Sequence, residues 1–288
     1  MGEIEKGEFE HFMLKEIHEQ PEAIRKTLAG RIKDSRVDFS DLEFDNVFKN
    51  TGKIIIAACG TSYHAGMVGR LIIEKLARIP VEIDLASEFR YREVLWNPND
   101  LVIVISQSGE TSDTLAALRE ARHNGIKVLA ITNVPGSTIA QEAERVIYTH
   151  AGPEIAIAST KAYSAQLLIM YLLALYLASL RESCDPAKLE DLASELLVVD
   201  AIVENVLKEQ QHIKEMAEKY HKVQSIFFLG RGLDYPVAME GALKLKETSY
   251  VHAEAYATGE LLHGPLALIE QGVPVLTLIS QDKLVDKS

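Results

Sequence analysis

The sequence predicts an α/β fold: two doubly wound parallel-sheet subdomains related by duplication, the second incomplete. Three observations lead there. Across residues 51–184, short branched-apolar runs ending in small polar turns alternate with helical stretches, the pattern of a parallel sheet covered on both faces. The same pattern returns at Ser225-Ile226-Phe227-Phe228-Leu229-Gly230-Arg231-Gly232. Gly60 and Gly232 stand 172 positions apart, and Tyr63 and Tyr235 share that offset. Finally, only 64 residues run from Ser225 to Ser288, fewer than the first copy spends over residues 53–180, so a truncated two-strand remnant is expected.

Taken in order, residues 8–30 place Phe12, Ile17, Ile24 and Leu28 among charges, an amphipathic helix interrupted near Gln20-Pro21. Residues 34–50 are polar and expected to be irregular. Residues 53–58 form the first strand and lead through Cys59-Gly60-Thr61-Ser62 into a helix over 63–78. Strands follow at 80–86, 101–105, 128–132 and 146–149, with a helix over 113–123. Small residues at 152–160 approach a long apolar helix that begins at Lys161. Asp185-Pro186 ends it, and two amphipathic helices carrying Leu192, Leu196, Leu197, Ile202, Val206, Ile213 and Met216 are expected before residue 222. The boundaries are 1–50 for a helical lead-in, 51–184 for the first subdomain, 185–222 for a connector and 223–288 for the second subdomain.

The chain has 288 residues, 47% of them hydrophobic, with 30 basic against 42 acidic residues and a net charge of −12. That field repels polyanions, so nucleic acid and anionic membranes are not expected partners. Only Cys59 and Cys184 are present, giving no disulfide framework and no Cys/His metal spacing, and a reducing, cytoplasmic setting is expected. The acidic residues 1–12 have no apolar core of a signal peptide. The apolar stretch 167–180 is 14 residues, too short to span a bilayer, and reads as a buried helix.

Chemistry concentrates at two places. The run Ile103-Val104-Ile105 ends in Ser106-Gln107-Ser108-Gly109-Glu110-Thr111, a strand end with three hydroxyls and a glycine ahead of a helix N-terminus. Such a turn is an anion site with phosphate as its natural guest. The alternative is that Ser108 or Thr111 merely caps the helix. The echo at Ile279-Ser280-Gln281 continues with Asp282-Lys283, so only the first copy keeps the hydroxyl loop. The second place is Glu240, Lys244 and Glu247, which share one helical face, followed by His252, Glu254 and His263-Gly264-Pro265. A carboxylate and an imidazole suit proton transfer between adjacent sugar carbons; a solvated ion pair and a structural histidine are the plainer alternatives.

Together, Cys59-Gly60-Thr61-Ser62, Ser106 to Thr111, Ala158-Ser159-Thr160-Lys161, Glu240 to Glu247 and His263-Gly264-Pro265 resemble the sugar-isomerase (SIS) half of the glutamine–fructose-6-phosphate aminotransferase family, from His11 through Pro265. The lead-in His11-Phe12-Met13 through Gln20-Pro21 is similar to the linker after that family's glutaminase domain. The resemblance implies flavodoxin-like subdomains and a homodimer that converts fructose 6-phosphate and ammonia to glucosamine 6-phosphate, with no cofactor or metal. It implies that Ser106, Gln107, Ser108 and Thr111 bind the phosphate. Thr61 and Ser159 hold sugar hydroxyls in a pocket that the Cys59-Gly60-Thr61-Ser62 turn helps to form, with Cys59 at its floor. It makes Glu247 the general base, Lys244 its charged neighbour, and His263 the ring-opening residue, reaching the partner subunit's site. The chain begins Met1-Gly2-Glu3, without a glutaminase domain, and the imine-forming lysine is expected beyond Ser288, so this piece is expected to be inactive in synthesis. Two other functions fit the same residues: a non-catalytic sugar-phosphate sensor, and a related deglycase or keto-aldose isomerase.

Overall fold

The computed structural model describes residues 5–287; residues 1–4 and Ser288, and with them part of the acidic amino end, lie outside the described residues. The chain divides into two compact units, one ending at Val203 and the other beginning at Glu204.

In the first unit, α1 (Phe12–His18) and α2 (Gln20–Leu28) precede a small antiparallel hairpin, β1 (Ile32–Lys33) with β2 (Arg36–Val37), and then α3 (Asp45–Asn50). The sheet follows: β3 (Lys53–Ala58), α4 (Gly60–Leu76), β4 (Val81–Leu85), α5 (Ala86–Phe89), β5 (Asp100–Ser106), α6 (Ser112–His123), β6 (Lys127–Thr132), α7 (Thr138–Glu142) and β7 (Arg145–Tyr148). All five strands are parallel, in the order β4-β3-β5-β6-β7. This is the flavodoxin-like doubly wound arrangement, whose direction of winding reverses between its first and third strands. Successive strand residues serve opposite faces: Ile55, Ala57, Val102 and Val104 pack under α5 and α6 with Phe89 and Leu118. On the other face α4 lies directly on the sheet. A Cβ at Gly66 would stand 2.8 Å from Ile83 Cδ1 and 2.9 Å from Ile56 Cγ2, so that close approach needs glycine.

The long helix α8 (Lys161–Leu180) is apolar on every side because it is a core helix. By length and composition it is the one helix among the described residues that passes for a membrane span, yet 67% of that window is buried inside the protein. Gln166 donates to Ser62 of α4 at 3.0 Å, Ser164 to Gln20 of α2 at 2.6 Å, and the Tyr176 hydroxyl to Asp45 of α3 at 2.7 Å.

Three expectations are corrected here. Residues 34–50 are not irregular: they hold β2, a 3-10 turn at Ser40–Leu42 and α3, and they bury Phe39, Phe44 and Phe48. Their apolar residues, Val37, Phe39, Leu42, Phe44, Val47 and Phe48, follow no single period across the segment, and their order comes from local and distant partners together. Phe48 meets Phe44 edge-on at 5.3 Å and Tyr176 at 6.2 Å. Removing the Tyr176 hydroxyl with Tyr176→Phe is expected to lower stability by about 1–2 kcal/mol, read as an earlier urea midpoint with an unchanged slope. The connector holds three helices rather than two: α9 (Pro186–Leu196), α10 (Val199–Leu207) and α11 (Gln210–Tyr220), with the break before α11 carrying neither Gly nor Pro. Ile202, Val206, Ile213 and Met216 on the last two are exposed. The second copy keeps three strands rather than two.

Those strands are β8 (Ser225–Gly230), β9 (His252–Ala257) and β10 (Val275–Thr277), around α12 (Asp234–Ser249). They are parallel in the order β9-β8-β10, the order β4-β3-β5 of the first sheet. A shift of 172 positions carries β3 onto β8 residue for residue and β4 into β9. Gly60 and Gly232 both hold positive φ, +52° and +60°. The duplication therefore extends to topology and backbone. The overlooked strand, His-Ala-Glu-Ala-Tyr-Ala, alternates polar with small residues and lacks the branched content that marks buried strands.

Candidate functional site

Reversal of winding puts the carboxyl ends of β3 and β5 side by side: Ala58 pairs with Ile105, so the turns 59–62 and 106–111 are neighbours in the crevice where doubly wound sheets take ligands. The turn after β5 is braced by its own hydroxyls. Ser106 Oγ lies 2.9 Å from Thr111 Oγ1 and accepts the Gly109 N–H at 3.0 Å, while Ser108 Oγ accepts the Glu110 N–H at 3.2 Å. Thr111 occupies the N-cap of α6, but its side chain makes no capping bond to the helix. The capping alternative thus does not hold for Thr111, and Ser108 bonds within the turn. The positive end of α6 is left facing the crevice, where an anion is favoured.

Gly109 holds φ +68°, and a Cβ there would stand 2.0 Å from Ser137 Oγ. The turn is locked to the segment after β6: Asn133 N–H donates to Gln107 O at 3.1 Å and Ile139 N–H to Gly109 O at 3.0 Å. The Glu110 carboxylate accepts both the Thr138 N–H and the Thr138 hydroxyl at 2.7 Å, bonds that hold its carboxyl below the usual carboxylate range. Glu110 is thereby a clamp of the turn rather than a ligand donor.

In the neighbouring turn Cys59 is the extended N-cap of α4 and packs, half-buried, against the apolar layer of Ile55 and Val102. The helix begins at Gly60, three residues earlier than the sequence suggested. Thr61 is half-buried, whereas Ser62 is buried and accepts from Gln166. A third segment, residues 149–160, joins them through Asn133, whose Oδ1 accepts the Thr149 hydroxyl at 3.0 Å and the Ala151 N–H at 2.8 Å, and whose Nδ2 donates to Gly152 O at 2.7 Å. Ser159 donates to Glu154 at 2.7 Å, and Glu154 also takes the N–H groups of Thr160 at 2.8 Å and Ala162 at 3.3 Å at the start of α8. Asn133, Glu154 and Gln166 escaped the sequence reading. Asn133 follows β6 at a strand carboxyl end, and Glu154 is an acid just before a helix, so position carried a signal for both.

The remaining candidates lie in the second unit. On α12, Lys244 Nζ is 2.6 Å from Glu247 and 3.3 Å from Glu240, confirming the shared face. Glu240 is buried and Glu247 exposed. His263 ends a 3-10 turn, Glu260–His263, is exposed, and precedes Gly264 at φ +137°. His252 and Glu254 stand on β9, 3.5 Å apart. At the carboxyl end of β10 the degenerate echo has its own anion. Asp234 accepts the Ser280 N–H at 3.1 Å, the Ser280 hydroxyl, and the Gln281 amide at 3.2 Å. Position 62, its counterpart 172 residues earlier, is a serine.

Comparison with known proteins fits this geometry. The model of the SIS domain matches residues 48–176 and 219–287. The glutamine–fructose-6-phosphate aminotransferase (isomerizing) of Clostridium tetani is 55% identical over 287 residues, 99% of this chain and 47% of that protein. The protein of the same name from Methanosarcina acetivorans is 47% identical over 286 residues, 98% of this chain and 46% of its own length. The chain thus spans about half the length of the curated relatives it matches. Among solved structures, the C-terminal domain of glucosamine-fructose-6-phosphate aminotransferase from Francisella tularensis superposes with a TM-score of 0.96 at 42% identity, covering 99% of this chain and 80% of that one. With both halves of its duplicated sheet matched in sequence and fold, this chain belongs to the SIS domain family.

Proposed function

We propose that this chain is the isomerase half of a glutamine–fructose-6-phosphate aminotransferase, taking fructose 6-phosphate and ammonia to glucosamine 6-phosphate for amino-sugar synthesis. A glutaminase domain of the full-length protein supplies the ammonia. The observation that carries this reading is the Ser106–Thr111 turn: three hydroxyls, a glycine backbone and an uncapped helix end gathered at the switch point of the sheet. In this reading Ser106, Gln107, Ser108 and Thr111 take the phosphate, and the sugar hydroxyls fall to Thr61 and Ser159. Cys59, Gly60 and Ser62 shape the floor, Ser62 through its bond to Gln166. The Glu247 carboxylate moves the proton between C1 and C2, and Lys244 fixes its orientation from 2.6 Å. The His263 imidazole opens the sugar ring, serving the site of the second subunit in a homodimer. The names of the relatives support the substrate, and the reaction requires no cofactor or metal. The setting is cytoplasmic.

The test is calorimetric titration with glucosamine 6-phosphate. The native chain is expected to bind it, and Ser108→Ala combined with Thr111→Ala to weaken binding at least about tenfold, two hydrogen bonds being lost from a charged group. Unchanged affinity in the double variant would sink the assignment.

A further inference from the structure

We propose that Glu16, on α1, is a positioning residue for the sugar end of the ligand. The proposal rests on the function just given, in which Ser159 meets the sugar hydroxyls.

A carboxylate is seldom fully buried unless it is paired, and Glu16 is 2% exposed. Its partners are backbone amides. Oε1 accepts the N–H of Ile155 at 2.6 Å and that of Ala156 at 3.2 Å, and Oε2 shares the latter at 3.3 Å. These amides belong to a stretch without helix or strand that runs from β7 to α8. Its large apolar side chains do not anchor it, for Ile157 is 98% exposed and Ile155 about half, and of its apolar residues only the small Ala151 and Ala158 are buried. The stretch is held by polar ties instead: Asn133 at Ala151 and Gly152, Glu16 at Ile155 and Ala156, and Glu154 at Ser159, Thr160 and Ala162.

The end of α1 reinforces the middle tie. Lys161, 3% exposed at the first turn of α8, pairs with Glu19 at 2.5 Å, and Glu19 pairs with Lys15 at 3.3 Å. Ser159 therefore sits between two fixed points, the amides gripped by Glu16 and the helix start gripped by Glu154. Glu154 is itself carried by the segment that Glu16 holds in place. Removal of the Glu16 carboxylate frees two part-buried N–H groups, which recover hydrogen bonds by turning outward to water. Glu154 and Ser159 shift with them. The Ser106–Thr111 turn, tied separately through Gly109, Glu110 and Gln107, stays where it is. A defect confined to the sugar end follows, and it separates positioning from general loss of structure.

The test uses the whole chain, titrated with glucosamine 6-phosphate and, separately, with inorganic phosphate, while amide exchange is read at Ile155 and Ala156. Glu16→Ala is expected to weaken glucosamine 6-phosphate about tenfold, leave inorganic phosphate unchanged and speed exchange at both amides. Glu16→Gln keeps Oε1 and is expected within about twofold of native. Glu16→Asp keeps the charge but withdraws the oxygens, and is expected to show the same split as alanine, which covers the case of an alanine variant too unstable to purify. Faster exchange with native glucosamine 6-phosphate affinity overturns the proposal, as does equal weakening of both ligands. If the native chain takes inorganic phosphate but shows no preference for glucosamine 6-phosphate, the assigned substrate fails and the positioning role falls with it.

Discussion

Gly109→Ala is expected to abolish detectable binding of glucosamine 6-phosphate and to lower stability by about 2–4 kcal/mol. Two independent penalties meet at this position. The backbone holds φ +68°, where an L side chain costs about 1 kcal/mol. The added Cβ would stand 2.0 Å from Ser137 Oγ, 2.5 Å from Ser137 Cβ and 2.9 Å from Thr132 Oγ1, distances no Cβ can keep, and overpacking of this kind costs about 1–3 kcal/mol. Relief by movement of Ser137 is restricted, since Ser137 leads α7 and the Gly109 carbonyl is bonded to Ile139 N–H at 3.0 Å. The turn must then lift away from β6, breaking the Ser106 to Gly109 bond at 3.0 Å that organises the hydroxyls. Ser137→Gly in the same chain removes the two shortest contacts and leaves the backbone strain. It is expected to restore part of the stability, read from urea midpoints, and part of the binding. Native affinity in Gly109→Ala alone would show that the turn does not hold the ligand.

Strands buried on both faces were legible from composition. Residues 53–58 and 101–105 are continuous branched-apolar runs because helices cover both sides of the sheet, and such runs have few other uses. The duplication was legible because strand, glycine and tyrosine recur at one offset. The fold was lost wherever order comes from distant residues. Phe48 lies in a polar stretch and is buried against Tyr176, 128 positions later. Strand β9 has no apolar pattern of its own and is set by its ladder to β8. At the site, the sequence named the hydroxyls but not how they are divided. Ser106, Ser108 and Thr111 brace the turn among themselves, Ser62 is bonded to Gln166, and Ser159 to Glu154. The scaffold that aims them, Asn133, Glu154 and Glu16, is made of residues whose roles appear only when the chain is folded. Asp234 sharpens the contrast between the two copies. Where the hydroxyl loop is missing, the chain supplies its own carboxylate to the donors at that strand end; the complete loop of the first copy has no acid at the matching place.

Lys244→Met is expected to be among the most destabilising single changes in the second unit, about 3–5 kcal/mol, read as a shifted urea midpoint of the whole chain. Lys244 stands between two carboxylates, 3.3 Å from Glu240 and 2.6 Å from Glu247, and Glu240 is only 4% exposed. Methionine matches the apolar stem but removes the cation, so that the buried Glu240 carboxylate and its neighbour Glu247 lose the charge they share. The Coulomb repulsion that Lys244 screens now adds to the desolvation of Glu240. If that is the cause, Glu240→Gln introduced with Lys244→Met removes the buried charge along with its partner, and the pair is expected to be more stable than Lys244→Met alone by about 1–3 kcal/mol. Lys244→Arg keeps the charge and is expected to lose far less. The catalytic reading adds a separate signature in the full-length enzyme. Lys244→Arg, folded and with Glu247 still paired but displaced by the broader guanidinium, is expected to lower kcat while leaving KM for fructose 6-phosphate near native, because the phosphate turn is untouched. A native kcat in a folded Lys244→Arg enzyme would make the lysine a structural bridge and nothing more.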